Sequence, residues 1–114
     1  MKRAAHVSDA FRSFVLDQLS ALGDVVPRAM FGGVGLYVSG VFFGIIARDV
    51  LYLKVDDQNR QDYTRVRMKP FKPFPDRSSS MKYYQVPVPV LESTEELVSW
   101  ARKSVAAAER SATT

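Results

Sequence analysis

The feature that most constrains this chain is the spacing of its turns between residues 25 and 55. Apolar, strand-forming stretches are parted there by only two or three residues at a time, at Gly32-Gly33, Ser39-Gly40 and Arg48-Asp49. A parallel crossover needs about a dozen residues, so neighbours joined this closely run antiparallel. Ser39-Gly40 in particular suits a tight hairpin turn. The spacing predicts four strands, at 25–31, 35–38, 41–47 and 50–55, forming a meander. Pro27 falls near the start of the first, where a missing N–H is tolerated.

Helices are expected on both sides of this meander. Over 8–22, Ser8 is the N-cap and Asp9 sits at the positive end of the helix dipole. At about 100° per residue, Phe11, Phe14, Val15, Leu19 and Leu22 share one stripe, and Gly23 supplies the stop. Residues 56–66 read as a short polar helix capped by Asp57, with Tyr63 and Val66 as its apolar contacts. Pro70, Pro73 and Pro75 make 68–81 a loop, or an edge strand beside one. Strand character returns over 82–86, and Pro87 and Pro89 end the pairing. The last helix begins at Ser93, with Glu96 three residues on as a capping box. Its apolar stripe is Leu97, Trp100, Ala101, Val105 and Ala108, with Arg102, Lys103, Ala106 and Arg110 opposite. The fold class is therefore α+β: an antiparallel β-meander of four to five strands packed by N- and C-terminal helices. At 114 residues the chain is one domain, with an ordered core of about 7–109.

The inventory of reactive groups is short. With no cysteine in the chain, disulfides, thiolate metal sites and cysteine nucleophiles are excluded. The single histidine, His6, lies in the N-terminal arm. Asp56, Asp57, Glu92, Glu95 and Glu96 suit helix starts better than paired acid–base work. Gly32, Gly33 and Gly35 resemble a phosphate loop only at first glance. Val38 stands where the fingerprint needs Gly or Ala, and a strand follows instead of a helix. These glycines more naturally supply positive φ, or let a ring such as Tyr37 or Tyr52 come close. No catalytic residue, metal ligand or cofactor is assigned, and the expectation is a protein that is not an enzyme. The stretch 34–46 falls short of the roughly 20 apolar residues that span a membrane, and no targeting segment opens the chain. A soluble, cytoplasmic protein is expected.

Charge is the more informative signal. The whole chain carries a net +4. Between residues 60 and 82, Arg60, Arg65, Arg67, Lys69, Lys72, Arg77 and Lys82 stand against Asp62 and Asp76, so this one segment exceeds the total. The candidate partner surface is Arg65, Arg67, Lys69, Lys72 and Arg77, with Phe71 and Phe74 as apolar anchors. Cations interleaved with rings suit an acidic protein surface, or a weak, sequence-tolerant hold on nucleic acid by phosphate contacts and base stacking. They equally describe a solvated loop with packing anchors. No helix-turn-helix spacing is present. A second oddity is that Leu36, Tyr37, Val38, Phe42, Phe43, Ile45 and Ile46 are apolar on both faces of the sheet. Either a homodimer buries part of it, or the segment 67–81 folds over the second face.

The string Met30-Phe31-Gly32-Gly33-Val34-Gly35-Leu36-Tyr37, followed by Gly40, Phe43, Ile45 and Leu51-Tyr52-Leu53-Lys54-Val55-Asp56, resembles the N-terminal domain of the TfoX/Sxy family. Pro70-Phe71, Met81-Lys82-Tyr83-Tyr84-Gln85-Val86-Pro87, Leu91-Glu92, Leu97 and Trp100-Ala101 extend the likeness from about residue 7 to 108. The resemblance implies an α+β unit and a role in regulating competence genes. It also implies a protein partner, either the transcription machinery or the cyclic-AMP receptor protein. Full-length competence regulators carry a second, C-terminal domain. The expectation here is a stand-alone domain that keeps the partner-binding surface.

Overall fold

The computed structural model describes residues 7–30, 32–72 and 80–112; His6, Phe74 and Arg77 lie outside them. Helix α1 (Asp9–Gln18) starts where Ser8 Oγ accepts from the Phe11 N–H at 3.1 Å. It is shorter than the pattern suggests, and its last turn tightens into a 3-10 turn, Ser20–Leu22. Gly23 then adopts φ +144° and ψ −162°, a region that glycine alone occupies cheaply, instead of the left-handed cap expected. Val15 and Leu19 are fully buried, but Phe14 remains 38% exposed. Phe14 lies about 100° around the helix from Val15, at the border of the stripe instead of its centre.

The strands β1 (Val25–Met30), β2 (Gly33–Val38), β3 (Val41–Ala47) and β4 (Val50–Lys54) form the expected meander. The β2–β3 and β3–β4 hairpins each close on two residues with positive φ: Ser39 (51°) with Gly40 (78°), and Arg48 (53°) with Asp49 (57°). That geometry matches the right-handed twist of the flanking strands. Strands β5 (Pro70–Phe71) and β6 (Ser80–Gln85) complete a six-stranded antiparallel sheet in the order β1-β2-β3-β4-β6-β5. The count is six and not four to five because the proline-rich segment contributes a two-residue edge strand. The edge is where a proline does least harm to a ladder.

One irregularity decides which side chains face which way. Leu36 pairs with Gly44 but Tyr37 pairs with Phe42, leaving Phe43 as the extra residue of a bulge. Phe43 therefore turns to the same side as Gly44 and Ile46, while Phe42 and Ile45 go to the other. Gly44 makes room for this, since a Cβ there would lie 3.1 Å from Leu53 Cδ2 and 3.2 Å from the Tyr52 carbonyl oxygen.

All the described helices gather on one face. Leu36, Val38, Phe43, Ile46, Leu51, Leu53, Val55, Tyr84 and Val86 of the sheet region join Val15 and Leu19 of α1 in a continuous core. Helix α4 (Thr94–Ala112) adds Leu97 and Ala101, and its buried face also takes in Val98, Ser104 and Ala107. Trp100 and Val105 of the expected stripe sit at the margin, partly buried. Ser93 Oγ accepts from the Glu96 N–H at 3.3 Å, as a capping box requires. The reciprocal half is replaced, because the Ser93 N–H donates to the Val90 carbonyl of a preceding helical turn, α3 (Val88–Leu91). That turn follows Pro87 and carries Pro89 near its start, where a missing N–H costs nothing.

The polar helix shrinks to α2 (Arg60–Thr64). Asp57 does not cap it and instead pairs with Arg60 at 2.6 Å. The nearby buried polar side chain is Asn59, which accepts from the Asp56 N–H and donates to the Lys54 carbonyl. Tyr63 is fully buried, whereas Val66 is 49% exposed because the helix ends before it.

Candidate functional site: the open face of the sheet

Alternation carries the odd set of side chains to the face that none of the described helices covers. From β1 come Val26, Arg28 and Met30; from β2, Gly35 and Tyr37; from β3, Phe42 and Ile45; from β4, Tyr52 and Lys54; and from β6, Tyr83 and Gln85. Their rings form a row across the strands. Arg28 Cζ lies 5.3 Å from the centre of the Tyr37 ring. Tyr37 stacks on Phe42 at 5.0 Å and 25°, and Phe42 meets Tyr83 at 5.7 Å. Lys54 Nζ lies 5.2 Å over Tyr83, the residue directly opposite it in register. A second pair, Tyr52 and Phe71, packs at 4.7 Å. Gly35 is the floor of the row: a Cβ there would meet Met30 Sδ at 2.6 Å and Phe42 Cε1 at 3.1 Å. A ring does come close to a glycine, as the sequence suggests.

The electrostatics of this face centre on Lys54. The residue is only 7% exposed, and its ammonium makes no hydrogen bond or ion pair among the described residues. Burial holds its pKa below the ordinary value, Lys82 pushes the same way, and Asp56 opposes them. Asp56 is occupied elsewhere, receiving Arg110 at 2.6 and 3.0 Å, and this contact pulls its carboxyl down. Arg110, expected on the solvent side of its helix, is thus half of a bidentate pair. A cation–π contact contributes about 2 kcal/mol or somewhat more when desolvated. Removing an ammonium from water costs several kcal/mol. The ring alone therefore leaves Lys54 undercompensated. Burial also pushes the Tyr83 phenol up to about 12, with Tyr37 adding to the effect, and raises that of Tyr52 against the pull of Arg48.

The structure disperses the basic segment. Arg65 is exposed and stands 3.8 Å from Asp62, which also takes Lys103 at 2.9 Å. Arg67 is exposed in a left-handed turn at φ 62°. Lys69 and Lys72 flank the two-residue edge strand, both exposed. Phe71 alone joins the aromatic face, through Tyr52. Phe74 and Arg77 are outside the described residues. The side chains that sequence reasoning missed are Arg28, Lys54 and the ring row. Their signal was present as cations within the strands, but it needed the register to be read.

Other features offer less. Among the described residues, no group of three or more His, Asp or Glu could hold a metal ion. No described helix is long and apolar enough to cross a membrane. A shallow groove of about 320 Å³ runs between Leu22, Val38 and Val41 on one side and Val105 and Ala106 on the other, with Arg102 and Glu109 also lining it.

An antiparallel sheet with every described helix on one side, and a cation-lined aromatic row on the other, defines a small α+β module with one closed and one open face. The family model of the TfoX N-terminal domain matches residues 17–108, and the chain belongs to that family. No curated protein matches it.

Proposed function

We propose that this chain is a non-catalytic protein-interaction module of the TfoX N-terminal type, serving the control of competence-gene expression in the cytoplasm. The open sheet face carries this reading, since it offers rings and a desolvated cation to a partner. Family membership supports it from a second direction. The cyclic-AMP receptor protein and the transcription machinery are the partners implied by the family resemblance. Isothermal titration of the full chain with purified cyclic-AMP receptor protein tests the first of these. Saturable binding that Lys54→Glu abolishes is expected, and heat-free titrations with both the receptor and RNA polymerase would remove the reading.

A second reading, weak and sequence-tolerant nucleic-acid binding by the 60–82 segment, is favoured by one observation. Arg67, Lys69 and Lys72 are exposed with no carboxylate partner among the described residues. Fluorescence anisotropy with labelled DNA decides it, because several phosphate contacts weaken steeply between about 50 and 200 mM salt. Absence of binding at the lower salt ends that alternative.

A further inference from the structure

The six described strands carry three charged residues, Arg28, Lys54 and Lys82, and all are cations; no Asp or Glu occurs in any of these strands. Arg28 and Lys54 belong to the open face and bracket its ring row. Three strand spacings and a two-residue offset in register separate them, roughly 15 Å in all. Val26 in the same row is 42% exposed, so the surface beside the cations is apolar. A ligand for such a face must bring negative charge at two points and apolar surface between them.

Three occupants have to be weighed. A second copy of the chain meeting this face through its own would set Arg28 and Lys54 against strands whose charged residues are again cations, with no carboxylate in the described strands to receive them. Single-stranded nucleic acid would need open ring faces for its bases. The Tyr37 ring is already engaged by Phe42 and Arg28, and the Tyr83 ring by Phe42 and Lys54, so little ring face is left open to bases. An acidic polypeptide requires only what is present: apolar ring edges and two cations, one of them buried with no acceptor among the described residues.

We propose that the open face binds an acidic–apolar segment of a partner protein, with one carboxylate on Lys54, a second on Arg28, and apolar side chains along Tyr37, Phe42 and Tyr83. This rests on the reading of the chain as an interaction module and adds to it the site and the chemistry of the partner. In extended chain the two carboxylates stand about four to five residues apart.

Selection of random peptides displayed against the immobilised full chain tests it, followed by affinity measurements on the winners. Peptides enriched in paired Asp or Glu are expected, binding Lys54→Met and Arg28→Met about tenfold or more weakly than the unmodified chain. The melting temperature of Lys54→Met should be unchanged or higher, which a purely structural lysine would not allow. Winners without an acidic excess, or winners indifferent to both substitutions, overturn the proposal. Winners that respond only to Arg65→Ala, Arg67→Ala, Lys69→Ala and Lys72→Ala together leave the interaction module standing and remove this face. No winners at all, with a labelled oligothymidine bound instead, removes both. A dimer at micromolar concentration that Tyr37→Arg dissociates assigns the face to a second copy and overturns the acidic segment.

Discussion

The two faces of the sheet are almost equally apolar in sequence, yet they are built on different principles. The closed face is chiefly aliphatic: Leu36, Val38, Ile46, Leu51 and Leu53, with Phe43 and Tyr84, are almost fully removed from water by the helices. Branched side chains have no directional way to satisfy one another, and they contribute by leaving water at about 25 cal/mol per Å². On the open face, rings and cations contact one another sideways, through offset stacking and cation–π geometry; Arg28 and the rings stay partly wet, while Lys54 is buried. The lesson is that an apolar strand pattern does not say whether a face is core. The kind of apolar residue, and the cations among it, does.

The largest test of that contrast sets the two neighbouring phenylalanines against each other. Phe43→Ala empties a fully buried site and should cost about 3–5 kcal/mol in urea unfolding. Phe42→Ala, on the half-buried side, should cost less than half as much; equal costs would mean the faces do not differ in this way. Two glycines sharpen it next. A Cβ on Gly33 would lie 2.6 Å from the Ile46 carbonyl oxygen, which is backbone and cannot yield. At Gly35 the 2.6 Å contact is the flexible Met30 Sδ. Gly33→Ala should therefore lose about 1–3 kcal/mol and Gly35→Ala clearly less. Removing one stacked ring by Tyr37→Leu should cost about 0.5–1.5 kcal/mol.

The smallest effects are those of pH. The Tyr83 phenol is raised from 10.0 to about 12, so its folded form holds the proton more tightly. Its contribution is complete below about pH 10 and is lost as pH rises toward 12. Alkaline unfolding followed by circular dichroism should start at higher pH in Tyr83→Phe. Asp56 has the opposite sign: its depressed carboxyl stabilises above the ordinary carboxylate range and loses that contribution on acidification. Arg110→Ala should flatten the acid limb of a melting-temperature profile, modestly, because the pair is partly exposed.

Much of the scaffold was legible in the chain. Two-residue turns permit one kind of neighbour, and the Ser8 and Ser93 caps announce where helices begin. The bulge at Phe43 was not legible. Strict alternation puts Phe43 with Ile45 and Phe42 with Ile46, the reverse of what the register produces. That error alone hides the ring row, since Phe42 is its middle member. The buried Asn59 escaped notice because its partners are backbone groups of Lys54 and Asp56, which composition cannot reveal. The basic segment drew attention by density of charge in sequence. Charges adjacent in a loop point in many directions, whereas Arg28 and Lys54, twenty-six residues apart, share one face.

Pro27 sits within the outermost strand β1, paired with Leu36 and offering no donor of its own. A rim so interrupted is a poor template for another backbone to zip along. Crowded copies of this molecule therefore lack a continuous ledge along β1 on which to polymerise, and a proline-free β1 should make concentrated solutions more prone to fibres.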